Sequence, residues 1–163
     1  MRKFLSNGAM IFAGIVSVPA IVATVDATSA AMPSLLPHTL KADPRLSRLQ
    51  RFFELADAPA KAYSHVFLSE ADHYDLDWRL LPSISFVETT GGKAARNNNM
   101  FGWNCGRTAF ISLSQGIRTV AYNLANSARY KNKNLDEVLL TYNPNPEYLQ
   151  KVKSVMYRIA PVE

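Results

Sequence analysis

The sequence has very little cysteine, since Cys105 is the only one in 163 residues, and an internal disulfide is therefore excluded. The three histidines, His38, His65 and His73, all precede Cys105. Cysteine hydrolases usually carry their partner histidine later in the chain. We therefore interpret Cys105 as a small buried apolar residue, with a nucleophile as the alternative. Neither paired cysteines nor histidines at i, i+4 spacing indicate a metal site, and we expect no cofactor.

Acidic residues are missing from a long part of the chain. Between Glu88 and Asp136 there is no Asp or Glu, whereas this interval contains Lys93, Arg96, Arg107, Arg118, Arg129, Lys131 and Lys133. The formal net charge is +5. Such a surface attracts an anionic polymer. Nucleic acid is one such polymer, but no nucleic-acid motif is visible, so we expect no nucleic-acid partner.

Long hydrophobic runs are also missing. The uncharged, mostly apolar segment 9–23 is short for a membrane-spanning helix, and Pro19 interrupts it. Arg2 and Lys3 precede this segment, and small residues follow it at 27–30. These features predict a signal peptide over residues 1–30, with an uncleaved anchor as the alternative. We therefore expect export to the periplasm, cell wall or extracellular space, with membrane contact only if this segment is retained.

The rest of the chain is organised as one domain. Residues 31–42 contain Pro33 and Pro37 and are interpreted as a linker, and residues 43–163 form the predicted domain. No internal repeat or low-complexity run is present. A hydrophobic content of 48% is typical of a globular protein with a real core.

Capping signals and apolar periodicity predict a mostly α, α+β domain. Helix starts are predicted at Asp43-Pro44, Asp57-Ala58-Pro59, Asp75 or Asp77, Ser112, Asn134 and Asn145-Pro146. The weak alternation over residues 100–113, with Gly106 at a bend, predicts a short β-hairpin.

Glu88 is the candidate catalytic acid. Leu81, Ile84, Ser85 and Glu88 follow at i, i+3, i+4 and i+7, so they share one helical face. That face is otherwise apolar or small, and partial desolvation there would raise the pKa of Glu88, as a general acid near neutral pH requires. The alternative is a helix-terminal glutamate that faces solvent.

The residues after Glu88 indicate a carbohydrate groove. Gly91-Gly92 can end the helix in a left-handed conformation, and Asn97-Asn98-Asn99 offers amide donors and acceptors that match sugar hydroxyl and acetamido groups. Phe101-Gly102-Trp103 adds aromatic faces beside a turn. The alternative interpretation is turn chemistry plus core rings.

Two stretches, ETTGGKAARNNNMFG at residues 88–102 and YNPNPEY at residues 142–148, resemble signatures of bacterial endo-β-N-acetylglucosaminidases. These enzymes are peptidoglycan autolysins of the lysozyme-like superfamily. The second motif is usually Y-x-x-D-P-x-Y, and Asn145 stands where Asp is usual. The resemblance covers roughly residues 60–159.

The resemblance implies a lysozyme-like helical domain with the hairpin at its cleft. It implies hydrolysis of β-1,4 glycosidic bonds next to N-acetylglucosamine in peptidoglycan, by a monomer whose partner is the glycan strand. Glu88 and Tyr142 would be catalytic, although core packing is the alternative for Tyr142. The implied substrate-binding residues are Asn98, Asn99, Phe101, Trp103 and Tyr148.

A second carboxylate is missing from the predicted hairpin, so Glu88 would act alone. Most glycosidases use two carboxylates, but in some the substrate's own acetamido group takes the second role, and a water held by Tyr142 and the asparagines is the alternative here. Two other functions stay open: a lytic transglycosylase, which leaves a 1,6-anhydro sugar, and a non-catalytic cell-wall-binding module.

Overall fold

The computed structural model describes residues 43–161, so the predictions on residues 1–42 lie outside the described part. In that part 61% of the residues are helical and no named strand is present, which confirms the mostly α prediction. The elements are α1 (Pro44–Leu55), a 3₁₀ helix (Pro59–Tyr63), α2 (Ser64–His73), α3 (Leu80–Thr89), α4 (Leu113–Asn126), α5 (Leu135–Tyr142) and α6 (Pro146–Ile159). None of the helices within residues 43–161 is long and apolar enough to cross a membrane.

Four predicted helix starts are confirmed by side-chain caps. Asp43 accepts from the Arg45 amide at α1, Ser112 from the Gln115 amide at α4, Asn134 from the Glu137 amide at α5, and Asn145 from the Glu147 amide at α6. Each cap contributes about 1 kcal/mol, so the caps chiefly fix where the helices begin.

Two predicted starts are wrong in detail. Helix α3 begins at Leu80 with Arg79 as its N-cap and no side-chain cap, because the Asp77 carboxylate instead accepts from the backbone and side chain of Arg79. Asp57-Ala58-Pro59 opens a 3₁₀ turn, and the α-helix that follows starts only at Ser64.

Helix α3 lies in the core, packed chiefly against α6 and also against α2. Its residues Leu81, Ile84 and Ser85 are fully buried, so the predicted face does point inward. A second part of the core is aromatic: Phe53 stacks on Phe67 with ring centres 5.8 Å apart, and Phe67 meets Phe101 edge-on at 6.4 Å. The buried face of α3 thus fixes the direction in which its last turn presents Glu88.

The predicted β-hairpin is wrong. Residues 100–112 form turns and irregular chain, and the nearest pairing is an isolated bridge between Arg96 and Asn99. The physical reason is a series of left-handed residues that interrupts any extended path: Asn97, Asn98, Gly102, Asn104, Cys105 and Gly106. The interpretation of Cys105 as buried is also wrong, because this turn exposes it.

Candidate active site

Glu88 lies in the last turn of α3, where a left-handed end redirects the chain. Thr90 has φ 54°, and the amides of Thr90 and Gly91 bond to the carbonyls of Phe86 and Ser85, closing the helix. Gly91 follows with φ +62°, and a Cβ there would lie 2.9 Å from the Ala58 side chain. The predicted left-handed end is confirmed, although it begins at Thr90 rather than at the glycines.

The α3–α4 loop, residues 90–112, folds back onto the Glu88 carboxylate. A Cβ on Gly102 would lie 2.6 Å from Glu88 Oε2, and Gly102 has φ +58°. The left-handed backbone favours glycine at this position, and a larger residue would also have to push the Glu88 carboxylate aside.

Side-chain hydrogen bonds hold this loop against α3. Thr89 Oγ1 donates to the Met100 carbonyl at 2.7 Å and accepts from the Gly92 amide at 3.0 Å. Asn99 Nδ2 donates to the carbonyls of Trp103 and Thr108, both at 3.0 Å, and its Oδ1 accepts from the Trp103 amide at 2.9 Å. The Asn99 side chain thus joins parts of the loop that backbone hydrogen bonds would join in a β-hairpin.

Burial raises the pKa of the half-buried Glu88 carboxyl above its ordinary value, as the sequence predicts, and the nearby Tyr148 hydroxyl opposes this in part. The Tyr148 hydroxyl is buried, faces Glu88 and forms no well-aligned hydrogen bond with any described residue. Its own pKa is raised by burial and then by the charge of Glu88. The phenol is therefore a neutral donor beside the acid, with hydrogen-bonding capacity to spare.

Tyr142 lies beside the same acid, but its hydroxyl is engaged. It donates a short hydrogen bond to the Phe101 carbonyl, and its ring is parallel to that of Tyr148 with centres 6.0 Å apart. Trp103 lies on another side with its ring centre 5.8 Å away. Burial, followed by the charge of Glu88, raises the pKa of Tyr142 well above its usual value.

Two clefts open on this cluster. The inner cleft, of about 260 Å³, is lined by Val87, Glu88, Asn143, Asn145, Tyr148 and Lys151. The outer cleft, of about 590 Å³, is lined by Gly102, Trp103, Asn104, Cys105, Arg107, Thr108, Asn123, Ser127, Arg129, Tyr130 and Tyr142. The two are adjacent where Glu88 touches Gly102 and where Tyr142 stacks on Tyr148. Among the described residues lining them, Glu88 is the single carboxylate.

The structure brings together Glu88, Tyr142, Tyr148 and Trp103 of the predicted site. The Phe101 ring is fully buried in the core, and Asn99 is 3% exposed with its amide satisfied inside the loop. Both build the loop, and neither side chain faces a cleft. Asn98 is exposed, and its Nδ2 donates to the carbonyls of Phe110 and Ile111.

Several cleft residues were not among the predicted site residues, namely Asn104, Asn123, Tyr130, Asn143 and Lys151, whereas Arg107 and Arg129 were predicted only as part of a basic surface. Lys151 could have been found, because it follows Tyr148 at i+3 on α6 and so shares its face. Most of the others depend on how the loops fold, and helical periodicity says nothing about loops.

No family model, no curated protein and no solved structure matches this chain. Within residues 43–161, no group of three or more His, Cys, Asp or Glu side chains could hold a metal ion. The functional interpretation therefore depends on the arrangement of the residues themselves.

Proposed function

We propose that this protein is a glycoside hydrolase that cuts β-1,4 bonds next to N-acetylglucosamine in peptidoglycan, with Glu88 as its general acid. The observation that carries the proposal is the position of Glu88: a half-buried carboxyl with a raised pKa that lines the inner cleft beside Tyr148, whose ring stacks on Tyr142. Burial keeps such an acid protonated closer to neutral pH, and aromatic faces suit sugar rings.

The proposal includes a lysozyme-like architecture, in which an acid at a helix end faces a groove. It also includes a monomeric protein and its export, because peptidoglycan lies outside the cytoplasm.

Asn145, which stands where the resembling motif usually has Asp, is compatible with the proposal. Asn145 caps α6 by accepting from the Glu147 amide at 2.9 Å, and Asp and Asn fill that position about equally well. The Asn145 side chain therefore caps the helix as the usual Asp would.

In this mechanism Glu88 donates its proton to the glycosidic oxygen as the bond to the anomeric carbon breaks. The positive charge that develops at that carbon is met by the acetamido oxygen of the substrate or by a water, and the Glu88 carboxylate accepts the proton of the water that finally adds there. The Tyr148 hydroxyl faces the acid and can help to orient either group. Tyr142 contributes through its bond to the Phe101 carbonyl, which holds the loop that carries Gly102.

A lytic transglycosylase is the second candidate, and one observation favours it. Among residues 43–161 no second carboxylate lines either cleft, so no side chain there other than Glu88 is an evident base. In that case the 6-hydroxyl of the same sugar would attack the anomeric carbon, the Glu88 carboxylate formed by the first proton transfer would accept the hydroxyl proton, and a 1,6-anhydro end would remain. A non-catalytic wall-binding module is the remaining candidate.

Incubation of the mature protein with purified sacculi distinguishes the three. We expect new reducing ends at N-acetylglucosamine, which indicate hydrolysis. Anhydro ends would indicate transglycosylation, and binding without cleavage would indicate a wall-binding module. Glu88→Gln keeps size and hydrogen bonding but has no proton to donate, so it should lower the rate by about 10²-fold or more while leaving binding intact. Full activity of folded Glu88→Gln would refute the site.

A further inference from the structure

The outer cleft contains two arginines that have no acidic partner in the part of the chain that the structure describes. Arg107 and Arg129 both line it, and neither forms a salt bridge with any residue between 43 and 161. Most of the other arginines within residues 43–161 are also unpaired, and only Arg45, Arg79 and Arg118 pair with a carboxylate. What distinguishes Arg107 and Arg129 is that both line this cleft, whose described lining contains no acid.

Neighbouring groups orient these guanidinium groups. Arg129 Nη2 donates to the Thr141 carbonyl at 2.8 Å, and its guanidinium carbon lies 5.7 Å from the centre of the Tyr130 ring. Arg107 Nε donates to the Asn104 carbonyl at 3.3 Å. Because a guanidinium carries five N–H donors, each arginine retains donors for a ligand after these contacts.

A further polar group lies at the same cleft, the side chain of Ser127. Its Oγ is buried with no hydrogen-bond partner among the described residues, so it stays shielded from the cleft unless a neighbouring side chain moves. Next to it, the rings of Trp103 and Tyr130 lie 6.2 Å apart and provide an aromatic wall.

We propose that the outer cleft is a carboxylate-binding subsite, in which Arg107 and Arg129 bind a carboxylate that the glycan carries. This deepens the proposed function and rests on it. Two groups in peptidoglycan have this chemistry: the free lactyl carboxylate of an unsubstituted muramic acid and the carboxylates of the stem peptide. The subsite makes the protein prefer an acidic glycan over a neutral polymer of N-acetylglucosamine.

The test is a binding titration of the full mature chain carrying Glu88→Gln, which prevents cleavage during the measurement. Three ligands are compared: neutral chitotetraose, a peptide-free tetrasaccharide of N-acetylglucosamine and muramic acid, and the same tetrasaccharide with stem peptides. We expect the carboxylate-bearing ligands to bind at least about tenfold more tightly than chitotetraose, as a charge-assisted hydrogen bond warrants. A preference limited to the second or the third ligand identifies the lactyl or the peptide carboxylate as the group bound.

Arg107→Gln and Arg129→Gln should each remove most of this preference, which is taken as the ratio of acidic-ligand to chitotetraose affinity in the same variant. Lys131→Gln is the matched control, since it removes one charge from the same interval at an exposed residue that lines neither cleft. If Arg129→Gln fails to fold, Arg129→Lys replaces it, because lysine keeps the charge and lacks the planar guanidinium group that can donate two parallel hydrogen bonds.

Equal binding of neutral and acidic ligands, absence of binding to either acidic ligand, or an intact preference in the folded arginine variants would overturn the subsite. This readout is affinity, whereas the proposed function is read from cleavage of sacculi by the wild-type protein. Cleavage without a preference refutes only the subsite, and a preference without cleavage refutes only the enzyme.

Discussion

At the scale of single residues, the ionisation of Glu88 links its burial to its proposed chemistry. The ordinary pKa of this carboxyl is 4.5, and burial raises it in the folded protein. The folded state therefore retains the proton at pH values where the unfolded chain has lost it. The contribution of Glu88 to the free energy of unfolding is therefore fully present below pH 4.5, and it is lost as the pH rises through the raised pKa.

We predict that Glu88→Gln stabilises the protein at neutral pH but not in acid, because the amide removes the cost of burying a carboxylate. Urea unfolding of wild type and variant at pH 4 and pH 7 measures the difference in free energy of unfolding. The gain should be present at pH 7 and nearly absent at pH 4. An equal effect at both values would mean that Glu88 is not desolvated in solution.

Tyr142 and Tyr148 form a matched pair, because one hydroxyl is engaged and the other is not. The resemblance alone predicts that Tyr142→Phe lowers turnover, by about 10²-fold, much more than stability. The structure adds a cost of about 1–3 kcal/mol in unfolding free energy, since the Phe101 carbonyl loses its donor. Tyr148→Phe loses no well-aligned hydrogen bond, so its unfolding free energy should be close to wild type in acid, where Glu88 is protonated, and somewhat lower at neutral pH, where the hydroxyl favours the Glu88 carboxylate.

Tyr148→Phe should instead change the pH profile. The Tyr148 hydroxyl lowers the pKa of Glu88, so its removal raises that pKa further. A general acid must be protonated to act, and the basic limb of kcat/KM should therefore move to higher pH. Denaturant unfolding and pH–rate profiles of both variants test the pair. An unmoved profile in Tyr148→Phe, or an unchanged unfolding free energy in Tyr142→Phe, would contradict these assignments.

At the scale of elements, the helices could be predicted from the sequence, and the loop that completes the site could not. Caps such as Ser112 and Asn134 act within one turn, so local sequence fixes them. The α3–α4 loop is fixed by Asn99 and Thr89, which bond to carbonyls up to eleven residues away. Nothing in residue spacing reveals those partners, and weak alternation over residues 100–113 was therefore misinterpreted as a hairpin.

The same distinction explains the site residues. Glu88 was predicted because its helical face is periodic and ends in one acid. Asn99 and Phe101 were predicted to contact substrate because amides and rings also suit sugars, yet both are buried as parts of the loop. Composition cannot separate a ring that lines a groove from one that fills a core, because only the packed structure decides which surface is covered.

Two glycines of the α3–α4 loop test its contact with the acid. Gly102 and Gly106 both have left-handed backbones, with φ +58° and +75°. A Cβ at Gly102 meets the Glu88 carboxylate, whereas one at Gly106 meets nothing within 4 Å. Each alanine variant should lose about 1–2 kcal/mol of unfolding free energy from the backbone, and in Gly102→Ala the Glu88 carboxylate must in addition shift.

Gly102→Ala should also displace the acid and reduce cleavage of sacculi by about tenfold or more, while Gly106→Ala keeps most of the activity. Denaturant unfolding and rate measurements on the two variants give the comparison. Similar losses of activity in both would show that the loop backbone matters and that the contact with Glu88 does not.

At the scale of the whole molecule, Glu88 is the one acidic side chain among the described residues that lines a cleft, and the other acids lie away from both clefts. Many of the others pair with basic groups, as Asp77 does with Arg79 at 2.6 Å and Asp136 with Lys153 at 2.5 Å. Glu137 completes the capping box of α5. Within residues 43–161, none of these acids lines the inner or the outer cleft. The architecture therefore supports chemistry by one carboxylate.

We accordingly predict that a scan of the acids finds one essential position. Each mature Asp and Glu other than Glu88, changed singly to Asn or Gln, should keep a substantial fraction of the cleavage rate. Exposed ion pairs contribute only about 0–1 kcal/mol, so most of these variants should remain folded. Thermal unfolding of every variant is the control that separates lost chemistry from lost structure. A folded variant at a second position that is as inactive as Glu88→Gln would overturn the single-acid mechanism, because a second carboxylate would then have to reach the bond being cut.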